Sequence, residues 1–174
     1  MRMKIVVLAA VLCGTAFVAN AADSPSSPAV SVPAVVPFAA DAVIAGAVRR
    51  ECQLGAKLSD FIKEYGPEKG VTITQVTETT PASSGRVLVV EIAESLADGN
   101  AFTGHHTFTT VKGKLYQDGT EIGNFVGRRN SMGGAFGGFK GNCSVLGRTV
   151  QALGQDIAGW LGQPGKDGQL GDLQ

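Results

Sequence analysis

The chain has 174 residues, enough for one domain with a core of moderate size. Its 15 Lys and Arg balance 15 Asp and Glu, and 44% of its residues are hydrophobic. The only adjacent basic pairs are Arg49-Arg50 and Arg128-Arg129, so the concentrated positive face that nucleic acid requires is missing and that class of partner is excluded.

The first segment, "MRMKIVVLAAVLCGTAFVANAAD", has a positive start in Arg2 and Lys4, an apolar stretch from Ile5 to Val18, and the small residues Ala19-Asn20-Ala21. This is the pattern of a secretory signal peptide, residues 1–21, cleaved after Ala21. The apolar stretch falls short of the ~20 residues that span a bilayer. The mature chain is therefore expected to be periplasmic or secreted, with no transmembrane segment. A lipoprotein signal using Cys13 is the alternative, but Leu12 is bulky where that processing takes a small residue. Cleavage removes Arg2 and Lys4, leaving 13 basic residues against 15 acidic ones.

Residues 22–39 mix Pro, Ser, Ala and Val without a clear helical or strand period, which predicts a disordered linker. In "ECQLGAKLSDFIKEYG", Leu54, Leu58, Phe61, Ile62 and Tyr65 recur at helical spacing up to Gly66-Pro67, which predicts the first helix. The β-branched "GVTITQVTETT" and the Val/Leu/Ile run of "GRVLVVEIAES" predict two strands. Two more strands flank Asp118-Gly119, a pair suited to a type I′ hairpin, with a bulge expected at Gly113. In the last apolar run, Leu146, Val150, Leu153, Ile157, Trp160 and Leu161 share one helical face, with Asn142 or Ser144 as N-cap. The expected fold is α+β: a four-stranded antiparallel sheet with two helices on one face, in the order α-β-β-β-β-α. It occupies residues 40–162, followed by a flexible tail at 163–174.

Export leaves two cysteines, Cys52 and Cys143, in an oxidising compartment, and one disulfide is the expected outcome. It would close a loop of about 90 residues, worth roughly 4–5 kcal/mol in the chain-entropy model. Two free buried thiols are the alternative; a metal site lacks further ligands at suitable spacing.

Between Gly127 and Cys143 lies "GRRNSMGGAFGGFKGNC". A phosphate loop would need a hydroxyl residue after Lys140, where Gly141 stands, and no dinucleotide fingerprint is present; nucleotide binding is not expected. Weak anion binding through Arg128, Arg129 and Lys140 is one reading, and contact of Phe136 and Phe139 with a lipid surface or a partner is another. The structural reading takes the disulfide as its premise. In a meander, Cys52 and Cys143 would fall at opposite ends of the sheet, so the glycine-rich ribbon would have to carry the chain back along it.

No catalytic residue, cofactor or metal is expected. His105 and His106 are neighbours in a strand and point to opposite faces. Glu91 and Glu94 flank a strand end and read as solvated carboxylates. No G-x-S-x-G elbow surrounds a serine, and Ser131 has no histidine at an arguable spacing.

The segments "VRRECQLGAKLSDFI" and "GRRNSMGGAFGGFKGNCSVLGRTVQALGQDIAGWL" together resemble a group of small, uncharacterised exported proteins of proteobacteria. The likeness rests on the E-C-x-L segment and on the G-G-x-F-G-G-F-K-G-x-C-x-x-L run before a W-L helix. It covers most of residues 48–161 and implies no activity. The predicted element order is also loosely similar to folds of periplasmic auxiliary lipoproteins such as LptE and the N-terminal domain of TolB, a likeness that carries no function. The sequence reading is a non-enzymatic protein that binds an unknown partner in the cell envelope. The alternative is a peripheral outer-membrane component whose 131–141 ribbon touches lipid or glycolipid; a hydrolase is the third.

Overall fold

The computed structural model describes residues 29–100, 104–131 and 141–173, without the side chains of 98–100 and 104–106. The predicted signal segment and most of the ribbon, with Phe136, Phe139 and Lys140, lie outside the described residues.

The expected linker at 22–39 instead contributes core strands. Val30 and Val32 alternate with Ala29 and Ser31 in β1 (Ala29–Pro33), and both valines are fully buried. β1 is flanked in parallel by β3 (Thr72–Val76) and β4 (Arg86–Asn100), so it lies inside the sheet. Proline at its last residue takes no ladder bond from a central position, which is how a Pro-punctuated segment can still be a strand. β2 (Phe38–Ile44) follows in line and pairs with the later part of β4, Phe38 opposite Ile92 and Val43 opposite Glu94. β5 (Gly104–Gln117) and β6 (Thr120–Ser131) complete an antiparallel meander with β4. The tail does not stay free either: β7 (Gly168–Gly171) adds in parallel to β6, with Leu170 buried. The result is α+β, with a mixed seven-stranded sheet in place of the four antiparallel strands expected.

Among the described residues three α-helices accompany the sheet. The short α1 (Gly46–Glu51) ends where Gln53 takes a left-handed φ of 52°, and α2 (Leu54–Tyr65) begins. α3 (Asn142–Gly162) follows the ribbon, with Gly141 rather than Asn142 or Ser144 at its N-cap. The helical stripes read from the sequence are buried as expected, apart from the half-buried Phe61 and Tyr65. Cys52 bonds Cys143, with Cα atoms 4.9 Å apart. Phe61 packs where a Cβ on Gly154 would sit, and the Lys69 carbonyl lies 3.0 Å from the corresponding point at Gly162. These three contacts, taken in order, show that α2 and α3 run parallel.

The return path expected of the ribbon is not required. β3 and β4 both run parallel to β1, so residues 77–85 carry the chain back outside the sheet. β6 is then parallel to β4 and ends on the side where β2 runs into α1 and Cys52. The meander assumption failed because β1, read as linker, separates β3 from β4.

The helix-facing side of the sheet carries Leu88, Val90, Ile92, Val111, Leu115 and Phe125, in one cluster with Leu54, Leu58, Ile62, Leu146, Leu153 and Ile157. Each large apolar side chain buried there contributes about 1.5–3 kcal/mol. A polar chain threads this core: Ser95 Oγ lies 3.3 Å from Thr109 Oγ1, which lies 2.7 Å from Thr149 Oγ1, and Thr149 donates to the Leu146 carbonyl at 2.8 Å. Asp118 and Gly119 form the expected hairpin turn, with φ of 48° and 85°. Gly113, however, is not bulged; it pairs regularly with Val90 and Phe125. The register shifts fall between Ile92 and Glu94 and between Leu115 and Tyr116.

Candidate functional site on the uncovered face of the sheet

Strand alternation sends Arg128 and Arg129 to opposite faces of β6. Arg129, on the helix side, forks onto Asp156 of α3, with Nε and Nη2 each 2.7 Å from a carboxylate oxygen. Its Nη1 donates to Asp172 Oδ1 at 3.1 Å. Asp172 Oδ2 in turn accepts the backbone N–H and the Nδ2 of Asn130, both at 2.7 Å, which ties the tail to the end of β6. The Asp156 hydrogen bonds raise the Arg129 pKa above its ordinary value. The Asn130 backbone N–H, with the Asn130 side chain and Arg129, holds the Asp172 carboxyl below its own.

Arg128 lies on the other face, which no helix covers among the described residues. Its Nε donates to Thr110 Oγ1 at 2.9 Å and its Nη2 to Glu94 Oε2 at 2.8 Å, while the guanidinium stands 4.4 Å from the centre of the Phe108 ring. The two arginines read as anion contacts therefore both face carboxylates of the protein itself. Lys140, the third residue of that reading, lies outside the described residues, as do Phe136 and Phe139.

The bulge after Ile92 decides what this face presents. Residues 91 and 94, three apart, would point to opposite sides of a regular strand. Glu91 is opposite Lys112 and Glu94 opposite Thr110, residues two apart on β5, so both glutamates emerge on the uncovered face. They are joined there by Val43, beside Glu94, and by Leu96, opposite Phe108. Val43 is 62% exposed, Leu96 41% and Val126 39%, unusual for large aliphatic side chains on a sheet. Towards the other end a cross-strand groove of about 380 Å³ is lined by Pro37, Val89, Glu91, Lys112, Lys114 and Val126. Lys114 is held by Glu121 at 3.0 Å; that hydrogen bond raises the lysine pKa and lowers that of the glutamate.

Glu94 is paired with Arg128, and no group of three His, Cys, Asp or Glu able to hold a metal occurs among the described residues. The side chains of His105 and His106 lie outside the description. Among the described residues no helix is long and apolar enough to cross a membrane. Sequence reasoning missed Val43, Leu96 and Phe108. Their apolar character is visible in the sequence, but their orientation depends on the bulge and on the pairing of β2, a strand that the sequence reading did not assign.

No family model matches the chain, and no curated protein matches it at a significant level. Among solved structures it is similar to a minor lipoprotein from Acinetobacter baumannii, with 13% identity, a TM-score of 0.43, and coverage of 78% of this chain and 93% of that one. It is also similar to a structure from Helicobacter pylori described as a homolog of a neuraminyllactose-binding hemagglutinin. There the identity is 12% and the TM-score 0.35, covering 79% of this chain and 83% of that one. At these TM-scores neither likeness decides fold or function.

Proposed function

We propose that this protein is a non-enzymatic component of the cell envelope that binds another protein through the uncovered face of its sheet. The observation that carries the reading is the row Val43, Leu96 and Phe108, apolar groups on the solvent side, next to the fixed Arg128–Glu94 pair. Apolar side chains bordered by an ordered ion pair are the composition of a contact surface, in which the aliphatic groups supply energy and the pair supplies register. The export segment and the disulfide support an envelope location. The same features agree with the group of small exported proteins that the sequence resembles.

A photo-crosslinking residue at Val43 or Phe108 tests this in cells. The expected result is one discrete adduct, absent when the probe replaces exposed Glu64 on α2 and lost when Leu96→Arg is added. No adduct, or the same adduct from Glu64, overturns the proposal. So does sedimentation with vesicles that is lost in Phe136→Ser/Phe139→Ser, which would move the contact to the ribbon and to lipid.

A further inference from the structure

On the opposite side of the molecule a second depression, of about 580 Å³, lies between α3, β7 and the turn after α2. That volume is in the range of small-ligand sites. Gln155, Asp156, Gly159 and Trp160 of α3 and Gln163 at its C-cap line it, together with Lys69 and Leu170. A Cβ on Gly159 would meet nothing within 4 Å, so at this residue the groove is open down to the helix backbone. Arg129 borders it but is already fixed by Asp156 and Asp172. The groups left to recognise a ligand are the Lys69 ammonium, which has no ion-pair partner among the described residues, and two exposed side-chain amides.

We infer that this groove binds the carboxylate end of a short peptide with an apolar last residue. The Lys69 ammonium meets the terminal carboxylate. The Gln155 and Gln163 side chains, which donate and accept at once, match peptide groups that do the same. The open space over Gly159, in the groove that Trp160 and Leu170 also line, admits an aliphatic side chain. Fixation of Arg129 and Asp156 on each other keeps the wall in place before the ligand arrives, so little ordering cost falls on binding.

Trp160 is the chain's one tryptophan and lines this groove, while its ring also packs edge to face on Phe125. The test titrates purified, oxidised protein with N-acetyl-leucine and with N-acetyl-leucinamide, which lacks the carboxylate, while following Trp160 emission and its indole N–H resonance. N-acetyl-leucine is expected to give a saturable change, and the amide to bind about tenfold more weakly, the scale of one lost charged hydrogen bond. Lys69→Ala should abolish that preference. Gly159→Leu should abolish the response without lowering the thermal midpoint, since its side chain occupies open space. Absence of a saturable change, equal binding of the two probes to the wild-type protein, or an unaltered response in Gly159→Leu would overturn the assignment.

Discussion

The ring of Phe125 occupies the space that a Cβ on Gly113 would need, one strand away in direct register. Phe125 in turn meets Trp160 edge to face, with ring centres 4.8 Å apart, so Gly113 on β5 determines how α3 seats on the sheet. Glycine in a strand interior normally weakens it, yet here its missing side chain is what lets a buried aromatic ring lie flat against the backbone.

Gly113→Ala should therefore destabilise the protein by about 1–3 kcal/mol, the cost of overpacking, although alanine is the better strand residue elsewhere. Gly147→Ala in α3, where a Cβ meets nothing, should stabilise it by about 0.5–1 kcal/mol. Urea denaturation of the two variants side by side checks both signs. A stabilised Gly113→Ala would show that the ring moves aside without cost.

Replacing Cys52 and Cys143 together by alanine should cost about 2–5 kcal/mol, because the bond closes a sequence separation of 91 residues. The parallel α2 and α3 remain joined through Phe61 and Gly154, so the variant should keep its helical circular dichroism and lose thermal midpoint. Unchanged melting in the double variant would deny the crosslink a stabilising role.

The attachment of the tail should depend on pH in one direction. Asp172 has a folded-state pKa below its ordinary value of 3.8, chiefly through the Asn130 backbone N–H. A depressed carboxyl contributes stability that is fully present above the unfolded pKa and is lost as pH falls through the folded one. β7 should thus be held at neutral pH and loosen in acid below about pH 4. Hydrogen exchange at the Leu170 amide reads this directly. In Asp172→Asn that exchange should be faster at neutral pH and should lose its acid dependence.

Thr149→Val keeps shape but removes the hydroxyl that links Thr109 to the Leu146 carbonyl inside the core. Leaving Thr109 with only the longer contact to Ser95 should cost about 1–2 kcal/mol. A double-mutant cycle with Thr109→Val should recover part of the loss, since both partners are then apolar. Strict additivity would mean that the two hydroxyls do not act together.

Much of the local structure was legible in the sequence. The apolar spacing of Leu54 to Ile62 and of Leu146 to Leu161 gave both long helices, and Asp118-Gly119 gave the hairpin. The adjacent arginines could be assigned to opposite faces by strand alternation alone. Their partners could not: Glu94 is 34 residues from Arg128 and Asp172 is 43 from Arg129, and nothing local marks either as a match.

Local chemistry by itself thus determined the two long helices and the β4–β6 meander, because backbone propensity and side-chain period act over a few residues, and the cysteine count after export left one pairing to expect. The tertiary structure alone decided that "AVSVP" is an interior strand and that "GQLG" is an edge strand. Neither segment has enough apolar surface to order itself. Each becomes a strand only where distant chain, β3 and β4 for one and β6 for the other, offers a row of unpaired backbone groups. The same non-local pairing brought the end of β6 to the side of the sheet where β2 leads to Cys52, and left one face without a helix among the described residues.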